Sequence, residues 1–221
     1  MSRYAATAFD LDGTLCRHEQ DVEAAFRAAF RDVGHDPISE PRSFWDVMEP
    51  ITEYDTETAQ LADTMERLAA ERDHALDAGA WAERFVGRLD WTDVSLLPGA
   101  KAALAAAQAT GPVGLLTNGP ESRQSTKLNA LDLADAFDAV VYAGDMRRRK
   151  PYPDPFERML ADLETPAGET LYVGDSLEYD VGGASEAGLP VAWVTDGSSP
   201  DDHAPDHTLQ TVGELPSVLR A

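Results

Sequence analysis

The sequence predicts an α/β protein, a doubly wound parallel sheet of the Rossmann-like kind that carries an all-helical insert. Three observations carry this. Short apolar runs recur, and each ends in a polar residue. Helical stretches separate most of those runs. One segment of about seventy residues shows helical spacing and no clear strand.

The runs are "YAATAFD" (4–10), "PVGLLTN" (112–118), "DAVVYAGD" (138–145), "ETLYVGD" (169–175) and "PVAWVTD" (190–196). Runs this short, rich in Val, Leu and Tyr, read as parallel strands buried on both faces. Between them, "GAKAALAAAQATG" (99–111) is Ala-rich and closes on Gly111, as a helix C-terminus prefers. "PDPFERMLADL" (153–163) opens on prolines, which suit a first turn. "EYDVGGASEAG" (178–188) reads as a weaker helix because of its glycines.

Residues 17–89 interrupt the alternation. Val22, Ala25, Phe26, Ala29, Phe30 and Val33 follow helical spacing, and Gly34 can stop that helix. Phe44, Val47, Met48 and Ile51 repeat the pattern, then Leu61, Met65 and Leu68, then Trp81, Phe85 and Leu89. Trp45, Tyr54 and Trp81 read as core of this insert. The expected domains are therefore 1–16 with 90–221, and 17–89. An insert after the first strand lies at the carboxyl edge of the sheet, where open α/β sheets bind ligands, and it can act as a lid.

Composition narrows the function. The chain has 221 residues, 43% of them hydrophobic, enough for a good core. No stretch approaches the roughly 20 apolar residues of a membrane span, and no signal peptide is evident. Cys16 is the one cysteine, so no internal disulfide can form. A cytoplasmic protein is expected, a monomer or homodimer. Forty acids face eighteen bases, a net charge of −22. Nucleic acid is a poor partner for such a surface. The acids are spread over every segment, which fits a cytoplasm of high salt, where self-repulsion is screened.

Parallel strands gather their ends on one edge. That edge would hold Asp10, Thr117 with Asn118, and Asp175, and the loop after the third run adds Lys150. Acids, a hydroxyl and a lysine suit phosphoryl transfer: a divalent cation bridges carboxylates and phosphate, while lysine and hydroxyl hold the remaining oxygens. Mg2+ is the expected cation, because it prefers oxygen ligands. Simpler readings exist for each residue. Asp12-Gly13 can be an ordinary turn. Thr117 and Asn118 can cap the helix that starts near Pro120. Asp180 can serve a helix dipole, and Ser176 a cap. Arg147, Arg148 and Arg149 can be a solvated or acid-paired run, Cys16 a small buried hydrophobe, and His18 a surface residue.

"DLDGT", "LLTNG", "KPYPDPF" and "GDSLEYD", in this order, resemble the haloacid dehalogenase-like (HAD) superfamily, and its phosphoglycolate phosphatase-like members with a helical first-type cap. The resemblance spans the chain. It implies that Asp10 is the nucleophile, forming an aspartyl-phosphate, and that Asp12 is general acid and then base. It implies Mg2+ held by Asp10, the Asp12 carbonyl and Asp175, with Asp180 supporting through water or Lys150. Thr117 and the Asn118 backbone would contact phosphoryl oxygens, Lys150 would balance charge, and the Gly13 turn would let the backbone approach the substrate. The expected activity is Mg2+-dependent hydrolysis of a small phosphorylated metabolite, a phosphate monoester. Dehalogenation of 2-haloacids is the alternative in the same superfamily, but those relatives typically carry an aromatic residue where Asp12 stands. Schiff-base phosphonate hydrolysis lacks its cap lysine, since 17–89 contain none. Phosphosugar mutase activity stays open, because arginines 27, 42, 67, 72 and 84 lie in the insert. A non-enzymatic binding module would have lost Asp10, Asp12 or Lys150.

Overall fold

The structure, a computed structural model, describes residues 3–49, 56–195, 197–200 and 203–220. Ile51 and Tyr54, expected in the insert core, and Asp196, the polar end of the last run, lie outside the described residues. The chain divides into two compact units, residues 1–17 with 94–221, and residues 18–93.

The first unit is built on strands β1 (Ala6–Phe9), β2 (Cys16–His18, which runs into the second unit), β3 (Val94–Leu96), β4 (Val113–Thr117), β5 (Ala139–Tyr142), β6 (Thr170–Gly174), β7 (Val191–Val194) and β8 (His207–Leu209). Six of them form a sheet in the order β5-β4-β1-β6-β7-β8. Every pairing in it is parallel. β2 pairs with β3 separately. Each of the five runs read from the sequence contains one of these strands, trimmed at its ends. Pro112, for example, has no N–H to donate, and Val113 N–H instead reaches the Asp138 carboxylate at 2.8 Å.

Alternation along the strands splits the core into two layers. Phe9, Leu115, Leu171 and Val173 face one side, with Ala103 and Leu104 of helix α5 (Ala100–Gln108), Leu128 of α6 (Glu121–Ala130) and Leu215 of α9 (Leu215–Leu219). Ala6, Ala8, Leu116 and Tyr172 face the other, with Phe156 and Met159 of α7 (Pro153–Leu163) and Ala184 of α8 (Gly183–Glu186). Helices on both faces make the sheet doubly wound. The stretch expected as a weak helix is a wide π-type turn, Leu177–Gly182, that runs into the short α8.

The second unit is helical: α1 (Val22–Asp32), α2 (Pro41–Asp46), α3 (Glu57–Glu71) and α4 (Ala78–Val86). Asp21, Thr56 and Asp77 cap three of these helices through their side-chain oxygens. Gly34, at φ +82°, follows α1 in the left-handed region. Phe26, Phe30, Phe44, Met65, Trp81 and Phe85 form the unit's own core, with Trp81 and Phe85 stacked at 5.5 Å and Trp45 at its edge. Val47 departs from expectation: α2 stops at Asp46, and Val47 is exposed. The unit closes later than the pattern suggested. Gln20 donates to Asp90 O at 2.6 Å and Glu19 N–H to Asp93 O at 3.0 Å, which ties the 90s to the start of the insert.

Candidate active site

Asp10 directly follows β1, Thr117 ends β4, and Asp175 directly follows β6. These three strands are neighbours, so their carboxyl ends share one edge. Lys150, in the loop after β5, and Asp180, in the π-type turn, reach the same place.

Lys150 organises the centre. Its ammonium has four acceptors within reach for its three N–H donors: Asp10 Oδ1 at 2.7 Å, Asp180 Oδ1 at 2.7 Å, the Tyr172 hydroxyl at 2.9 Å and Leu116 O at 3.1 Å. Lys150 and Asp180 are almost wholly buried. Burial disfavours the ammonium, but the charges of Asp10 and Asp180 outweigh it and hold the Lys150 pKa well above its usual value. Asn118 fixes the backbone beneath that lysine: its Oδ1 accepts Lys150 N–H at 2.8 Å and its Nδ2 donates to Lys150 O at 3.0 Å.

Three carboxylates converge here. Oxygens of Asp10, Asp175 and Asp180 lie within 4.8 Å of one another. Burial pushes the Asp10 carboxyl well up, and the Asp180 and Asp175 charges add to this against the pull of Lys150. Asp175 is pushed up to about 6, by burial first and then by Asp180. Three acids against one ammonium leave two uncompensated negative charges, which is what one divalent cation carries. The all-oxygen donor set suits a hard ion such as Mg2+, so these residues fit the metal expected from the sequence.

Asp175 is held from two sides. Thr14 Oγ1 donates to its Oδ1 at 2.8 Å, and Trp193 Nε1 donates to its carbonyl at 2.9 Å. Gly13 makes room for it. At φ +86°, a Cβ on Gly13 would stand 2.4 Å from Asp175 Oδ2, so any side chain there collides with the acid. The Gly13 amide itself donates to Cys16 O at 2.8 Å within the turn.

Asp12 has a different environment from Asp10. Lys127 Nζ sits 2.8 Å from each of its carboxylate oxygens, and Gln124 Nε2 donates to Oδ2 at 2.8 Å. Burial would raise the Asp12 pKa, but the Lys127 charge and these hydrogen bonds outweigh it and hold the carboxyl below its usual range. Burial pulls the Lys127 ammonium below its usual value. These surroundings favour the carboxylate form of Asp12, which can accept a proton.

Of the other residues noted in the sequence, some adjoin this centre and some lie away from it. Thr117 and Asn118 do not cap α6 with their side chains. They bond to Gly119, Gln124 and Lys150 instead. Ser176 Oγ accepts Tyr179 N–H at 3.1 Å. Arg147 and Arg148 are exposed, and Arg148 pairs with Asp154 at 2.7 Å. His18 meets the Trp91 ring edge-on at 5.4 Å. Cys16 is buried, and its thiol pKa is pushed up by burial, so it behaves as a hydrophobe. Four residues at the centre escaped the sequence reading: Thr14, Gln124, Lys127 and Tyr172. The scarcity of lysine, three in the chain, was a usable signal for Lys127.

The sequence signature of the haloacid dehalogenase-like hydrolases matches residues 4–188. The chain belongs to this family. The hydrolase is similar to phosphoglycolate phosphatases of Cereibacter sphaeroides (34% identity) and Escherichia coli O157:H7 (30%), each alignment covering 96% of this chain and 96% and 91% of those proteins. Its fold is similar to the crystal structure of a predicted phosphoglycolate phosphatase from Haemophilus somnus 129Pt, with TM-score 0.74, 20% identity and 99% of both chains covered. The hydrolase is thus an enzyme of the phosphatase branch of its superfamily. Among the described residues no helix is long and apolar enough to cross a membrane.

Proposed function

We propose that the protein is a Mg2+-dependent phosphatase of small phosphate monoesters, acting through an aspartyl-phosphate on Asp10. The observation that carries this is the cluster of Asp10, Asp175 and Asp180 around one buried lysine. Asp10, the Asp12 carbonyl and Asp175 would hold the metal, and Asp180 would support the site through Lys150. When bound, Mg2+ supplies positive charge that stabilises the phosphoryl group and the carboxylates together.

Asp10 would attack phosphorus as a carboxylate, the form that Lys150 and a bound cation would together favour against burial. Thr117, with the Asn118 backbone, holds phosphoryl oxygens. Asp12 then takes a proton from the water that attacks the aspartyl-phosphate, the half of the cycle its pairing with Lys127 favours. Its role as acid to the leaving alcohol requires the protonated form, which the same pairing disfavours, so alcohols of low pKa should leave most readily.

The helical unit, 18–93, is proposed as the cap. Three of the five arginines noted in the insert are paired with acids: Arg27 with Glu23 and Glu40, Arg67 with Asp63, and Arg72 with Glu71. This speaks against a second phosphate site of the mutase kind. Asp12 and Asp180 speak against dehalogenation. A small carboxylate bearing a phosphate is the first substrate to try, given the relatives. The lone buried cysteine fits a reducing cytoplasm.

The test is phosphate release from p-nitrophenyl phosphate and from 2-phosphoglycolate, with chelator and with Mg2+ restored. Activity should vanish in chelator and return with Mg2+. Full activity in chelator would overturn the reading.

A further inference from the structure

The family motifs leave helix α6 without a task, yet two of its residues reach Asp12. Gln124 and Lys127 stand three apart, so they share one face of the helix. Both are buried, as is the neighbouring Leu128. A lysine buried on a helix is rare unless paired, and its partner is the more accessible of the two: the Asp12 side chain is 37% exposed against 2% for Lys127. The lysine therefore approaches the acid from the protein side and leaves its other side open.

Gln124 makes a second connection. Its Nε2 donates to Asp12 Oδ2 at 2.8 Å and to Thr117 Oγ1 at 2.6 Å. The opposite amide orientation would set an oxygen against a carboxylate, so the nitrogen must face Asp12. Thr117 Oγ1 also accepts Gly119 N–H at 3.3 Å. A hydroxyl accepts two hydrogen bonds and donates one. With both acceptor positions filled, the Thr117 proton is left to point elsewhere. The glycine of "LLTNG" permits this arrangement, since a Cβ on Gly119 would stand 2.5 Å from Gln124 Cδ.

We propose that Lys127 and Gln124 are positioning residues of the reaction: together they fix the Asp12 carboxylate toward the open side, and Gln124 also turns the Thr117 hydroxyl so that its proton faces a phosphoryl oxygen. This rests on the reading of Asp12 as the proton-transfer group. One face of α6 thus sets two groups that act on opposite ends of the breaking bond. A residue acting through another shows itself by non-additivity.

The experiment is a double-mutant cycle on the Mg2+-loaded full chain, with p-nitrophenyl phosphate as probe and thermal melting as a check on folding. Lys127→Met should lower kcat by roughly 10- to 100-fold, the cost of a misplaced catalytic group, with KM falling alongside it because the step that slows is hydrolysis of the intermediate. A phosphate adduct should build up on the protein after acid quench, because hydrolysis of the intermediate is the step that loses its base. In an Asp12→Asn background the same change should alter kcat by less than about 2-fold. Gln124→Met carries no charge change and guards against misfolding of the lysine variant. It should lower kcat in both backgrounds, more where Asp12 is present, because its bond to Thr117 remains at stake. Equal fold-losses from Lys127→Met in both backgrounds, or wild-type kcat in both single variants while Asp12→Asn is impaired, would overturn the inference. Wild-type turnover in Asp12→Asn would instead overturn the reading on which it rests.

Discussion

Replacing Lys150 with Met tests the electrostatics of the centre. The ammonium is 2% exposed and touches two carboxylates at 2.7 Å. Methionine keeps most of the volume and removes the charge, so the cluster goes from two uncompensated negative charges to three. Breaking a buried ion pair from one side costs about 3–5 kcal/mol, a large share of the roughly 5–15 kcal/mol that holds a domain together. For a unit of this size, about 2–4 °C of melting temperature corresponds to each kcal/mol, so the midpoint should drop by about 6–20 °C. Turnover should fall by at least about 10², because one of the charges that favour the nucleophilic form of Asp10 is gone. The gap in midpoint should narrow as pH is lowered toward 5, since Asp10 and Asp175 already favour protonation and a neutral acid needs no lysine. Melts of metal-free wild type and variant from pH 5 to 8, with turnover alongside, make the assay. A midpoint within about 2 °C of wild type at pH 7.5, with turnover intact, would refute the reasoning.

Two further outcomes follow from charge. Asp175 sits at about 6 in the folded protein against about 3.9 unfolded, so between those values the native state binds more protons. Its destabilising contribution is therefore full above about pH 6 and gone below about 4; metal-free protein should melt higher at pH 5.5 than at 7.5, Mg2+ at pH 7.5 should close much of that difference, and a lower midpoint at pH 5.5 would contradict the crowding of these acids. The net charge of −22 should make the fold weaker in dilute buffer than in molar KCl, and an equal or higher midpoint at low salt would reject the high-salt explanation of the acids.

What the sequence disclosed follows from where its signals are local. Asp10, Thr117 and Asp175 each terminate an apolar run, and parallel strands carry such residues to one edge whatever the detail of the turns. Lys150 stood out because lysine is scarce. The same scarcity applied to Lys127, but a charge in mid-helix reads as a solvated face, and its partner lies 115 residues away. Tyr172 read as one more apolar strand residue, and only the structure shows its hydroxyl on Lys150 and Asp180. β8 is three residues long with one buried apolar position, too little to rise above a loop. β2 and β3 are equally short and pair with each other, outside the main sheet. In α2, helical spacing ran past the helix end, because spacing reports a face and not where the backbone stops.

The central claim is that Asp10 carries the phosphoryl group, and intact-mass measurement with peptide mapping after rapid acid quench tests it most directly. With p-nitrophenyl phosphate and Mg2+ supplied, wild type should show a transient phosphate adduct on the peptide containing Asp10. Asp12→Asn should show more of it, since turnover falls by roughly 10² to 10⁴ when the positioned base is lost while the nucleophile remains. Asp10→Asn should show none. An adduct on Asp10→Asn, or its absence from Asp12→Asn while phosphate is still released, would contradict the account.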